Sequence, residues 1–336
     1  MKKIIYYLAV VLLLQSVLFS AVAKTPLNAY KHRLKVGLVL GGGGAKGAAH
    51  TGVLQAIEKS GIPIDFISGT SIGSIVGGLY ACGYHAADIE KLFRSQQWKS
   101  LLYDREMDYK NKPLKKVSGI TYFFGYPVGK KNKDEVGDRG FGASRGDKVV
   151  ELIDSITNLH DSINFDALPI PFRCVAVDMK TMSEVVIGSG KLSTAMRASM
   201  AIPGAFKPVK MGDSTLVDGG VLNNLPVDVC RAMGADVIIA IDLTQNKHER
   251  VKREIKARKT LTGRVYQWLR ARPDIVKYNE NRANCDIYIN PDLKGFEATS
   301  FVPGKIDMMI QRGIEAGEAA LSELKKLKKK VMKGKL

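Results

Sequence analysis

From Lys35 onward, short apolar runs alternate with longer stretches of helical character, the pattern of an α/β fold on a mainly parallel sheet. Val36–Leu40 is a continuous apolar run ended by glycines, and Ile64–Ser68 is a second one followed at once by a glycine turn. Strands buried on both faces read this way. Between them, Lys46–Ser60 is rich in helix formers and meets a stop signal at Gly61-Ile62-Pro63. Phe172–Val177, Glu184–Ile187 and Val237–Ile241 are further strand candidates. Arg94–Ser144 keeps no clean period and mixes aromatic residues such as Trp98, Tyr122 and Phe141 with lysines and glycines. It reads either as an irregular segment covering a cleft or as a surface excursion. Lys247–Lys277 carries eleven basic and three acidic residues. It reads as a solvated charged helix or, through Trp268 and Leu269, as an amphipathic one. The chain closes on a helical stretch whose tail, Lys325–Lys335, holds seven lysines and no acid.

The amino terminus departs from this pattern. Lys2 and Lys3 precede an apolar run from Ile4 to Leu14, and Ala21-Val22-Ala23 offers a small-x-small cleavage site, so residues 1–23 read as an export signal. Gln15 and Ser16 interrupt the run well before the roughly 20 apolar residues that a spanning helix needs, which argues against an anchor. Removing the signal takes away Lys2 and Lys3 and lowers the formal net charge from +18 to +16. For an exported protein, such a surplus points to anionic lipid head groups rather than nucleic acid. With 45% apolar and 25% charged residues the composition is that of a globular chain. Cys82, Cys174, Cys230 and Cys285 lie far apart among apolar neighbours, as buried thiols do. Neither they nor the five histidines follow a metal-site spacing.

Candidate chemistry sits at two glycine-rich turns and one aspartate. Gly69-Thr70-Ser71-Ile72-Gly73 follows a predicted strand and opens a predicted helix, the setting in which a G-x-S-x-G turn holds out its serine as a nucleophile. Gly41-Gly42-Gly43-Gly44-Ala45-Lys46-Gly47 also joins a strand to a helix, and its bare backbone amides suit an anion. Two anions compete for it. Gly42, Gly44 and Gly47 fit the G-x-G-x-x-G of a dinucleotide site, with Asp65 near the distance expected of a ribose ligand. The alternative is the oxyanion of an acyl-transfer intermediate. Asp65 begins the second strand rather than ending it, and export argues against a soluble nicotinamide cofactor, so the oxyanion reading is favoured. Ser71 then needs a base. No histidine stands in a turn that would present it to Ser71; His50, in the helix after the glycine loop, reads as a packing residue. Asp218, set between the apolar pair Leu216-Val217 and Gly219-Gly220, is the candidate carboxylate base, although an isolated Asp-Gly-Gly is more often a turn.

Taken together and in this order, the three elements resemble the patatin-like phospholipases, and in particular exported bacterial members. The resemblance runs from about Lys35 to about Pro291, and Ala198–Phe206 and Asn223–Val227 are similar to family segments as well. It implies a three-layer α/β/α sandwich with a mainly parallel central sheet. It also implies a Ser71–Asp218 dyad, an oxyanion hole at Gly42, Gly43 and Gly44, and supporting roles for Lys46, Gly47, Gly69, Gly73, Gly219 and Gly220. The implied substrate is a phospholipid or other lipid ester, cleaved without metal or organic cofactor. The implied organisation is a signal at residues 1–23, a linker at 24–34, the hydrolase domain at 35–291 and a helical segment with a basic tail at 292–336. An anionic membrane surface is the expected partner, no nucleic acid is expected, and a homodimer is compatible with the sequence. Periplasmic, outer-membrane-associated or secreted protein is the expected destination. A non-catalytic lipid-binding protein of the same fold and a dinucleotide enzyme are the competing readings.

Overall fold

The computed structural model describes residues 33–102, 114–117, 120–123, 126–128, 142–245 and 273–334. The expected export signal, most of Lys247–Lys277 and Lys335 lie outside them. The first half of the chain forms β1 (Val36–Leu40), α1 (Ala48–Ser60), β2 (Phe66–Thr70), α2 (Ile72–Ala81), α3 (Ala86–Ser95) and α4 (Trp98–Leu102). A meander follows, of β3 (Leu114–Val117), β4 (Ile120–Phe123) and β5 (Tyr126–Val128), and then β6 (Gly142–Ser144), α5 (Asp147–Thr157) and β7 (Ser162–Asn164). The second half holds β8 (Phe172–Asp178), β9 (Ser183–Ile187), β10 (Ser189–Lys191), α6 (Leu192–Ser199), β11 (Gly204–Phe206), β12 (Val209–Met211) and β13 (Ser214–Asp218). It ends with α7 (Val227–Ala232), β14 (Val237–Ile241), α8 (Ile275–Ala283), β15 (Ile287–Ile289) and α9 (Pro303–Met332).

The main sheet has the order β12-β13-β8-β2-β1-β14-β15, with β9 on the other side of β8. Pairing is parallel from β8 through β15 and antiparallel where β13, β12 and β9 join. Every residue of β1 and β14 is buried, which explains why their sequences are apolar without alternation. The two faces of β1 carry different partners. Val39 packs with Cys230 of α7 and with Ile275 and Tyr278 of α8. Leu40 lies on the opposite face, close enough to Gly77 of α2 that a Cβ there would meet its Cδ1 at 3.0 Å. Helices therefore cover both faces of the sheet, giving the α/β/α sandwich expected from the sequence. Lys35–Lys328 form one compact unit, and no described helix is long and apolar enough to cross a membrane.

Three expectations shift in detail. The second strand begins at Phe66, not Ile64, because Asp65 folds back onto β1: its carboxylate accepts the Val36 N–H and its own N–H donates to the Val36 carbonyl, both at 2.8 Å. That strand runs on through Gly69 and Thr70, which pair with Cys174 and Val175. The helix expected from Lys46 starts at Ala48, since the chain leaves the glycine loop through the left-handed φ of Gly44 (58°) and a 3₁₀ turn, Gly44–Gly47. Arg94–Ser144, expected to be irregular, contains α4 and the antiparallel β3-β4-β5 meander, with Val117 opposite Ile120 and Phe123 opposite Tyr126. Aromatic and β-branched residues favour such pairing even where no period-2 pattern stands out.

Helix α9 packs on α1 through small residues. A Cβ on Gly52 would lie 2.3 Å from the Ile314 nitrogen and one on Gly313 would lie 2.1 Å from the Ala49 carbonyl oxygen. Two backbones this close leave no space that a side-chain rotation could free. Gly52→Ala is therefore expected to lower stability by about 1–3 kcal/mol through overpacking. Gly304→Ala, at a position with nothing within 4 Å, should be neutral or slightly stabilising. Denaturant titration of both variants checks this, and equal midpoints would contradict the close helix contact.

Candidate active site

Strand β8 brings the nucleophile and base candidates together. β2 runs parallel to it and ends with Thr70 opposite Val175, while β13 runs antiparallel along the same edge and ends with Asp218 opposite Ala176. Two strand ends arriving from opposite directions thus stop at adjacent residues of one ruler. The Ser71 hydroxyl donates to Asp218 Oδ2 at 2.7 Å, and the Gly220 N–H donates to Oδ1, also at 2.7 Å. Both residues are buried. Burial pushes the Asp218 carboxyl up to about 6, against the hydrogen bonds from Ser71 and Gly220, which pull it down.

Ser71 has φ 55° and ψ −126°, a conformation strained for a residue with a side chain. The turn is possible because its neighbours have no Cβ: one on Gly69 would lie 2.4 Å from the Gly73 carbonyl oxygen, and one on Gly73 would lie 2.2 Å from that of Leu40. Ser199 braces the turn from below. Its Oγ accepts the Ser71 N–H at 2.9 Å and donates to the Val175 carbonyl at 2.6 Å. Gly219 presses on that same carbonyl, 2.2 Å from where its Cβ would be, so the Asp218 turn is equally dependent on a bare α-carbon.

The glycine loop faces Ser71, with one correction to the expected hole. The Gly42 N–H donates to the Asn224 carbonyl at 3.1 Å and is therefore engaged within the fold. Its carbonyl in turn accepts the Asn224 side-chain amide at 3.4 Å. Among the described residues, the N–H groups of Gly43 and Gly44 have no acceptor, while the next amide, that of Ala45, donates to Ala298 at 2.8 Å. Gly47 lies against Ile72, the first residue of the elbow helix. Lys46 reaches the same cleft; burial pulls its ammonium below the usual lysine range, with Asp242 and Glu297 opposing. Gly220, beside the Asn224 amide oxygen, completes the opposite wall.

Ser71 lies where two cavities meet, one apolar and one of mixed lining. On one side is an apolar cavity of about 220 Å³ walled by Ile72, Ile75, Trp98, Met200, Phe206 and Phe301. Trp98 is held between Phe93 and Phe301, ring centroids 5.2 and 5.1 Å away, and its indole N–H donates to the Phe93 carbonyl. On the other side, a cleft of about 630 Å³ is lined by Gly43, Gly44, Lys46, Asp218, Asn224 and Glu297. Residues beyond Pro291, from Leu293 to Val302, line both cavities, so the boundary expected there does not divide the site.

No histidine contacts the Ser71–Asp218 pair among the described residues; His50 is buried and bonded to the Gly41 carbonyl. All four cysteines are free, with Cys174 and Cys230 buried and Cys82 and Cys285 half-buried. Asp65 does not fit the ribose role: it is tied to Val36 at the start of β1, whereas the glycine loop leaves the other end of that strand. Ser199 and Asn224, which hold the two turns, stand in the sequence only within the family-like segments Ala198–Phe206 and Asn223–Val227. Their roles had no local signal, since each acts on a turn more than a hundred residues away. Nor did any pattern announce Phe301 as a cavity wall.

Comparison with known proteins bears on the family and the fold. The patatin-like phospholipase family model matches residues 38–231. A patatin-like phospholipase domain-containing protein of Caenorhabditis elegans is 34% identical over 62% of this chain, and lysophospholipase nte1 of Aspergillus fumigatus is 28% identical over 93%. The chain spans only 13% and 20% of those two relatives, both of them eukaryotic. The crystal structure of VipD from Legionella pneumophila has a similar fold, with a TM-score of 0.52 and 16% identity over 87% of this chain and 67% of that one. The family match begins in β1 and ends in α7, enclosing the glycine loop and both partners of the Ser71–Asp218 hydrogen bond, and the chain belongs to the patatin-like phospholipase family.

Proposed function

We propose that the chain is a serine lipid acyl hydrolase of the phospholipase A or lysophospholipase type. The observation that carries the reading is the 2.7 Å hydrogen bond from Ser71 to a buried Asp218 at the junction of an apolar cavity and a cleft of mixed lining. The apolar cavity suits a fatty-acyl chain, and the polar side chains of the mixed cleft, Lys46, Asn224 and Glu297, suit the alcohol and head group of a lipid ester. Family membership and the lysophospholipase name of a relative support the same class of chemistry.

Ser71 attacks the ester carbonyl as Asp218 Oδ2 takes its proton. The carbonyl electrons move onto oxygen, which is met by the unengaged N–H groups of Gly43 and Gly44 at the positive end of the following turn. Collapse of this intermediate expels the alcohol, which receives the proton from Asp218, and water then releases the fatty acid by the same steps. A carboxyl raised to about 6 is a stronger base than an ordinary aspartate and, once protonated, a usable acid. Both roles fall on one residue because, among the described residues, no second titrating group bonds to Ser71.

The chain is made as a precursor that loses residues 1–23 and acts beyond the cytoplasmic membrane, in the periplasm, at the outer membrane or outside the cell. Its basic tail, Lys325–Lys335, draws it to anionic lipid surfaces, at about 1 kcal/mol for each engaged lysine.

Ser71→Ala and Asp218→Asn are each expected to lower kcat on a chromogenic fatty-acyl ester by roughly 10⁴-fold or more, with no further loss in the double variant. A fluorophosphonate should label the peptide containing Ser71. Substantial turnover in either folded single variant, or labelling at Ser199 or Ser189 instead, would remove the dyad. Wild-type kcat/KM should fall as pH drops through about 6, where Asp218 gains its proton. The same shift appears in stability. A native pKa above the unfolded 3.8 favours folding fully below pH 4, and this benefit disappears as pH rises through 6. Asp218→Asn should therefore be more stable than wild type at pH 8, by up to about 3 kcal/mol, and lose that advantage below pH 4. Melting curves that shift equally at both pH values would contradict a raised carboxyl. For location, mass analysis of the native protein should find a terminus near Lys24, and that protein should bind phosphatidylglycerol vesicles more strongly than neutral ones at low salt. An intact Met1, or equal binding to both vesicles, would count against export or against the charged surface respectively.

A further inference from the structure

His50 takes no part in the chemistry above, yet it is a buried imidazole placed beside the glycine loop. It stands on the first turn of α1, is fully buried, and its Nε2 lies 2.9 Å from the Gly41 carbonyl oxygen. A carbonyl can only accept, so the proton sits on Nε2 and the bare lone pair on Nδ1, which has no hydrogen-bond partner among the described residues. Burial pushes this imidazole down to about 4, despite the Gly41 carbonyl and the Asp242 carboxylate that favour its protonated form. At neutral pH it is an uncharged donor with one fixed tautomer.

The bond it makes falls at a mechanically sensitive point. The Gly41 N–H donates to the Ile241 carbonyl at 2.9 Å, and the Gly42 N–H and carbonyl both bond Asn224. The Gly41 carbonyl oxygen also abuts the elbow, 2.7 Å from where a Cβ on Gly73 would stand. On the far side, Ala45 is held by Ala298. The two unengaged amides, Gly43 and Gly44, hang between these pins. His50 supplies the pin at Gly41 from a helix that is itself locked against α9 through Gly52. Without the imidazole N–H, the Gly41 peptide keeps only its amide bond, and the buried carbonyl has reason to turn toward another donor.

We infer that His50 is a positioning residue for the oxyanion hole: its Nε2–H holds the Gly41 carbonyl and thereby sets the distance between the Gly43 and Gly44 amides and Ser71. This rests on the serine hydrolase reading given above. Donors misplaced by a fraction of an ångström stabilise the ground state almost as before but lose much of their effect on the developing oxyanion. The signature of such a role is therefore a fall in kcat at nearly constant KM.

The test compares His50→Leu, which removes the donor at similar volume, with His50→Gln, which keeps an N–H at comparable reach. Turnover of a short-chain chromogenic ester, the rate of fluorophosphonate adduct formation at Ser71 and the thermal midpoint are measured for each, with rates taken per folded molecule. His50→Leu is expected to lower kcat and adduct formation roughly ten- to hundredfold with KM within about threefold. His50→Gln should recover most of that loss, and the acid limb near pH 6 should stay in place in both. If His50→Leu does not fold, His50→Asn replaces it, carrying an amide too short to reach Gly41, and the contrast with His50→Gln is read in the same way. Unchanged kcat in the donor-less variant, or equal impairment of the glutamine variant, would show that the imidazole serves packing alone. A wild-type enzyme without ester turnover would overturn the hydrolase reading and the positioning role with it, whereas an active wild type with an indifferent His50 overturns only the latter.

Discussion

Pairing along β8 is the constraint on which the rest of the site depends. Main-chain hydrogen bonds set strand registers in steps of one residue, and a one-residue slip sends every side chain to the opposite face. Here β2 and β13 share one edge of β8 from opposite directions, and their last paired residues oppose Val175 and Ala176. The Ser71–Asp218 hydrogen bond is the outcome of those two registers. Because parallel and antiparallel strands must both terminate at this point, the turn that follows each has to leave the sheet sharply. Bare α-carbons at Gly73 and Gly219 make those exits possible, each lying against a carbonyl oxygen of the neighbouring strand. The Val175 carbonyl ties the arrangement together, accepting the Ser199 hydroxyl that in turn holds the Ser71 amide.

The two open amides of the glycine loop arise by subtraction. Buried backbone groups are nearly always hydrogen-bonded, because leaving one unpaired costs about 1–3 kcal/mol. Along the glycine loop the amides of Gly41, Gly42 and Ala45 meet that requirement with carbonyls from distant segments. Among the described residues the amides of Gly43 and Gly44 find no such carbonyl, and both residues line a cleft. Four glycines in a row supply the freedom for such a path, but which amides remain unengaged depends on Asn224 and Ala298. Of the three consecutive glycines expected to form a hole, Gly42 has its amide engaged within the fold.

Electrostatics and shape act on the same pair of residues. Enclosure raises the Asp218 carboxyl and makes it a better proton acceptor. An apolar cavity and a cleft of mixed lining meet at Ser71, and Asp218 lines the second of them. Lys46 is the basic side chain of the glycine loop, and the acids Asp242 and Glu297 favour its charged form where burial opposes it.

What the sequence determined by itself was local. Uninterrupted apolar runs located β1 and β14 to the residue, since strands covered on both faces must be apolar throughout. Glycine spacing around Ser71 and the setting of Asp218 after an apolar pair marked both residues, because such turns tolerate few alternatives to glycine. Strand limits near Ile64 and the path of Arg94–Ser144 were less legible: a side chain folding back, as Asp65 does, or a meander of aromatic residues leaves no periodic trace. Tertiary structure alone decided what depends on segments far apart in the chain. It set the register that joins Ser71 to Asp218, the engagement of Gly42 by Asn224, the brace from Ser199, and the apolar wall completed by Phe301. These are contacts across a hundred residues or more, and a hydrogen bond or a packed ring carries no signature in the residues adjacent to it. His50 illustrates the difference. In the sequence it reads as a packing residue of the helix after the glycine loop, and only the folded chain sets its Nε2 against the carbonyl of Gly41.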